Sequence, residues 1–267
     1  MKKWRWVRST AAGLGTWTAI AAAHAIDLEP VERAWLEAAL PVLQFAREQG
    51  MPMDIVVQPQ PTPGETPLGM AYVAGRCKLV LSMRGNPEAQ ATLDRVEPAL
   101  RGAVVEAIAA HELGHCFRHT SHGWGRLPAG LTDTSDFARL SAEHTELLRA
   151  MWRTRREEGF ADLVGLAWTL ARNPDRYDAV HDWNTRLRAE QQVDTGPHDT
   201  RVWVKLAADK ARFSAAPSIF ERVQALWRAG LLAGSSETTA TPRPQDGVTA
   251  RALSLADAGG ALHGTQD

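Results

Sequence analysis

The chain has 267 residues, of which 44% are hydrophobic, and carries 30 lysines and arginines against 31 aspartates and glutamates. That length and apolar fraction allow one sizeable core with tails. The near balance of charge excludes a polycation that binds nucleic acid or an anionic membrane through bulk electrostatics.

In chain order, residues 1–25 have the three parts of an export signal. Lys2, Lys3, Arg5 and Arg8 make a basic start, Ala11 to Ala23 a small and apolar stretch, and Ala23-His24-Ala25 a cleavage site of the A-x-A form. The apolar stretch is shorter than the roughly 20 residues of a spanning helix. The expectation is a mature protein that begins near Ile26, has no membrane span and is exported, in a bacterium to the periplasm.

Residues 29–49 have helical periodicity, with Val31, Trp35, Leu36, Leu40 and Leu43 on one face and Pro41 as a point of kinking or division. The run "MDIVVQPQ" reads as a strand ended by Pro59, and "PTPGETPLG" as a loop. Next, "MAYVAGRCKLVLSM" reads as two strands that turn at Ala74-Gly75-Arg76. From Pro98 a helix places Val104, Ile108, His111 and His115 on one face, and "HTSHGWGRLPAG" then breaks the pattern. Helices are expected over 136–153, 155–172, 175–192, 199–213 and 217–232, the second of them ended by Asn173-Pro174. Strands first and helices afterwards give an α+β fold: a small N-terminal sheet and hairpin followed by a mostly helical body. Residues 26–233 form one domain, and 234–267, small, polar and weakly periodic, a disordered tail. The ten tryptophans against two tyrosines are assigned to packing and surface contact. No repeat, glycine-rich phosphate loop or G-x-S-x-G elbow is present, which disfavours nucleotide binding and serine hydrolysis.

The chemistry concentrates in "HELGH", residues 111–115. Histidines at i and i+4 of a helix point two ring nitrogens at one ion, and Glu112 on the adjoining flank can take a proton from water polarised by that ion. A third ligand is available in "EEGFAD", residues 157–162. Glu158 and Asp162 lie four apart on one helical face, so Glu158 can complete a His-His-Glu site while Asp162 accepts the other ring N–H of His111. The same spacing favours Glu158 over Glu157. The metzincin continuation is absent, with Arg118 in place of its glycine and Ser121 in place of its third histidine. His119 and His122 read as surface or loop histidines.

Together, "HELGH" and "EEGFAD" resemble the gluzincin group of zinc metallopeptidases, which carry H-E-x-x-H and then, on a second helix, E-x-x-x-D. The motifs are similar in style to those of minigluzincins and membrane-associated gluzincins. Motif order matches over about residues 70–205, with strong identity only in the two short motifs. The resemblance implies a zincin-like body, Zn2+ held by His111, His115 and Glu158, Glu112 as general base and later proton donor, and a peptide or protein substrate. It also implies a substrate-binding sheet edge, for which "CKLVLSM" (77–83) is the candidate, and an oxyanion donor, for which His198 in "TGPHDTRVW" is the candidate and Arg201 a weaker one.

Two rival functions stay open from sequence: a metal-dependent hydrolase of a nonpeptide bond, and a noncatalytic zinc-folded binding protein. Oligomeric state is unreadable. Cys77 and Cys116 are the only cysteines. An exported pair invites a disulfide, and buried free thiols are the alternative.

Overall fold

The computed structural model describes residues 27–51, 53–61, 65–121, 142–190 and 198–237. The expected export signal, His122 and most of the expected tail lie outside the described residues.

Turn chemistry sets the sheet. β1 (Met53–Val57), β2 (Leu68–Val73) and β3 (Arg76–Leu81) lie in the order β1-β3-β2. β2 and β3 pair antiparallel from Val73 opposite Arg76, leaving Ala74 and Gly75 as a two-residue turn. Both have positive φ, 51° and 76°, as a type I′ hairpin requires. β1 joins β3 in parallel, with Met53 opposite Cys77. This order corrects one expectation: "CKLVLSM" forms the central strand, and β2 is the edge strand that packs on the motif helix. Cys77, Leu79 and Leu81 are buried because a central strand is covered along its length.

α1 (Pro30–Glu48) starts on a proline at its first position, where the missing N–H costs nothing. Pro41 sits inside this helix without dividing it. Its buried face is Glu32, Trp35, Ala39, Val42 and Ala46, while Leu40, expected on that face, is exposed. The small Ala39 and Ala46 let α1 approach its neighbours, a preference that a count of large apolar residues overlooks. α2 (Pro87–Asp94) has no counterpart among the expected helices; Asn86 caps it by accepting from Glu88 N at 3.1 Å.

The body consists of α3 (Arg101–Thr120), α4 (Ala142–Arg172), α5 (Tyr177–Glu190), α6 (Arg201–Ala207) and α7 (Ile219–Glu237). Where two helices were expected to meet near residue 154, α4 is continuous. The Thr154 hydroxyl folds back to Ala150 O at 3.2 Å, and no proline or glycine interrupts the chain there. α7 runs on to Glu237, past the 232 expected for the last helix.

α3 and α4 cross at backbone contact distance. A Cβ added to Gly114 would stand 2.9 Å from Ala161 Cα, and one added to Gly165 would stand 2.8 Å from Ala107 O. Small residues at both points bring the His111/His115 face of α3 onto the Glu158/Asp162 face of α4. On the far side of α4, the fully buried Trp203 of α6 is wedged between Gly159 and Gly230, its indole donating to Trp227 O at 2.9 Å. Trp35, Trp203 and Trp227 are core residues, in line with the packing role expected of tryptophan. Cys77 and Cys116 are joined by a disulfide with a Cα–Cα distance of 5.7 Å, which ties β3 to α3 one residue after His115. It closes a 39-residue separation, for which loop-closure entropy gives about 4 kcal/mol.

Gly165→Val should destabilise the fold by about 1–3 kcal/mol, because its side chain meets a backbone carbonyl that cannot rotate away. An unchanged denaturant midpoint would show that the crossing is not tight.

A second expectation concerns acid. Burial raises the Glu32 pKa, but the Arg84 guanidinium at 2.8 Å and the Glu29 N–H outweigh it, holding the carboxyl below its ordinary range. A lowered folded pKa gives stability that is present above the unfolded value of about 4.3 and is lost as pH falls through the folded one. Glu32→Gln should therefore melt below wild type at pH 7, and the gap should close under pH 4; a gap independent of pH would refute the assignment.

Candidate metal centre

Successive turns of α3 present His111 and His115, and α4 presents Glu157, Glu158 and Asp162 opposite them. The two Nε2 atoms stand 3.1 Å apart. Glu158 places Oε2 at 3.6 Å from His111 Nε2 and Oε1 at 3.5 Å from His115 Nε2. Donors about 2.0–2.1 Å from one tetrahedral ion are separated by about 3.3 Å; each of these contacts is near that length, with Glu158 meeting the two histidines through different oxygens, and one ligand atom from each residue lies within 4.8 Å of the others. The group of His111, His115 and Glu158 can hold a metal ion.

The donor chemistry fits as well as the distances. His111 Nδ1 lies 2.9 Å from Asp162 Oδ1, and His115 Nδ1 lies 3.0 Å from Glu157 Oε1. Carboxylates only accept, so each Nδ1 carries a proton and each Nε2 of a neutral ring turns its lone pair inward. While both rings are neutral, two lone pairs and a carboxylate face one another, and a proton on His115 Nε2 or a metal ion can lie between them. A cation resolves that arrangement.

The local field has the same sign. Burial disfavours the His115 imidazolium, yet the hydrogen bond to Glu157 and the charges of Glu112, Glu158 and Glu157 outweigh it and raise its pKa to about 9. Burial also opposes the Glu158 anion, but His198, His111, His115 and Arg188 hold it down to about 2. Glu112 is buried, which pushes its pKa up against the pull of His111 and His115.

No known protein family, curated protein or solved structure matches this chain.

The remaining sequence-selected residues divide clearly. His198 Nδ1 lies 3.4 Å from Glu158 Oε2 with its side chain more than half exposed, at the rim of the cluster. Arg201 is turned away: it forms a paired contact with Asp199 at 2.8 and 3.0 Å. His119 stacks on Tyr72 of β2, ring centroids 4.4 Å apart, and is outside the ligand group.

Three members of the network were not selected for these contacts from sequence. Glu157, set aside there as the lesser ligand, instead holds His115 and is itself paired with Arg118. Arg188 of α5, 7% exposed, donates to both oxygens of Asp162 at 2.8 and 2.6 Å. Thr200 donates to Asp162 Oδ2 at 2.5 Å. Arg188 has no motif neighbour to mark it; its only sequence signal is an arginine on the same helical face as Val180 and Asn184.

Glu157→Ala should weaken metal binding at this group, with Zn2+ as the probe, by about 10–100-fold by freeing the His115 ring, read in competition with a chromophoric chelator. Equal affinity would show that the hydrogen bond does not orient the ligand.

Proposed function

We propose that this protein is an exported zinc-dependent metallopeptidase of the gluzincin type. The observation that carries the reading is the convergence of the His111 and His115 ring nitrogens and the Glu158 carboxylate, each ring held from behind by a carboxylate, with Glu112 buried on the same helix between the histidines. A purely structural zinc ordinarily takes four protein ligands, whereas three leave a position for water or substrate. His111, His115 and Glu158 would hold the ion. Zinc bound there would supply Lewis-acid chemistry, polarising a carbonyl and acidifying water.

The chain's own groups account for the proton traffic. Glu112 takes the proton of the attacking water and returns it to the departing amine. Asp162 and Glu157 keep the imidazoles in the Nδ1–H tautomer. His198, at the exposed rim, supplies a donor where oxyanion charge develops. Among the described residues the outer side of β2 pairs with no strand and offers main-chain hydrogen bonds to an extended peptide, taking the role first assigned to 77–83. Export is supported by the Cys77–Cys116 disulfide, a bond typical of oxidising compartments. No helix among the described residues is long and apolar enough to cross a membrane.

The test is Glu112→Gln assayed on a panel of peptides and nonpeptide amides and esters. Zinc per chain should stay at the wild-type level while peptide hydrolysis falls by about 10²–10⁴-fold. Hydrolysis confined to nonpeptide substrates would replace the peptidase reading, and undiminished turnover in the variant would remove Glu112 from the mechanism.

A further inference from the structure

We propose that Arg188 is a positioning residue for the metal centre, setting two of its three ligands at once; this rests on the metal-site reading above. Its guanidinium donates Nε to Asp162 Oδ2 at 2.8 Å and Nη2 to Asp162 Oδ1 at 2.6 Å. The same Nη2 lies 3.4 Å from Glu158 Oε2. Through Asp162 the fork fixes the oxygen that faces His111 Nδ1, and through Nη2 it holds the ligand carboxylate itself. The planar donor geometry matters here, because a point charge cannot span both oxygens of Asp162 and reach Glu158 in one orientation.

Asp162 is where four parts of the chain meet. It belongs to α4 and receives His111 from α3, Arg188 from α5 and Thr200 from the segment before α6. α5 is braced in turn against α6, with the Tyr177 hydroxyl donating to Ala207 O at 2.6 Å and His181 Nε2 2.8 Å from Val204 O. Arg188 thus transmits the placement of α5 and α6 to His111 and Glu158. All three side chains, Arg188, Asp162 and Thr200, are at least nine-tenths buried, so water cannot replace the lost contacts without cost.

The experiment uses the full chain freed of metal and titrated with Zn2+ against a chromophoric chelator, with folding followed by circular dichroism and the Co2+ visible spectrum reporting ligand geometry. Arg188→Met should remain folded, bind zinc about 10–100-fold more weakly and shift the cobalt bands. Arg188→Lys should recover part of the affinity but not the wild-type spectrum. Glu32→Gln, which breaks the part-buried Arg84–Glu32 ion pair and touches none of the site's hydrogen bonds, should lose stability and keep full zinc affinity. Folded Arg188→Met with wild-type affinity and spectrum would overturn the proposal. Should Arg188→Met fail to fold, Thr200→Val and Arg188→Lys decide it: weakened zinc binding in both sustains it, and unchanged binding in both overturns it. A wild-type chain that takes up no zinc would instead overturn the metal centre itself, and the inference with it.

Discussion

The close crossing of α3 and α4 is the constraint on which the rest depends. Neither Gly114 nor Gly165 leaves room for a methyl group, so the two helix backbones touch where other helix pairs are separated by side chains. Only at that separation can a histidine on one helix reach a carboxylate on the other with a short side chain such as aspartate. The contacts of 3.1, 3.5 and 3.6 Å among His111, His115 and the two Glu158 oxygens depend on backbone proximity as much as on residue identity. The motif "HELGH" therefore carries packing information at its fourth position as well as chemistry at its first, second and fifth.

Such proximity gathers charge. Glu112, Glu157, Glu158 and Asp162 all lie on or beside one interface, and burial works against the ionised carboxyl groups of Glu112, Glu158 and Asp162. The structure offsets this with Arg188, Arg118 and the two imidazoles. Buried ion pairs contribute little to stability against an apolar alternative, so stability alone does not account for these charges. An added cation inside the triangle would fit the excess of acceptors that remains.

Much of this was legible in the sequence because it depends on local spacing. His111 and His115 share a helical face by virtue of four-residue separation, as do Glu158 and Asp162, and the Ala74-Gly75 turn is a short-range signal. The α+β order of strands and helices follows from periodicity in the same way. What could not be read was set by tertiary neighbours. The central place of β3 depends on β1 pairing with it in parallel across the hairpin. The inward face of α1 is chosen by closeness of approach, which favours Ala39 and Ala46 over Leu40. Arg188 lies 26 residues from Asp162, and no periodicity links an arginine at the end of one helix to an aspartate in the middle of another. Glu157 and Glu158 were separable by spacing, yet only the folded geometry shows that the first of them also serves the site.

The disulfide between β3 and α3 has a kinetic meaning. Thiol–disulfide exchange requires an attacking thiolate to reach a sulfur directly, and both cysteines have no exposed surface. A small thiol in solution can cleave the bond only in those moments when the sheet has lifted from the helix. The speed of reduction thus counts spontaneous openings of the sheet beside the His111/His115 face of α3, giving the molecule a built-in chemical clock for its own breathing.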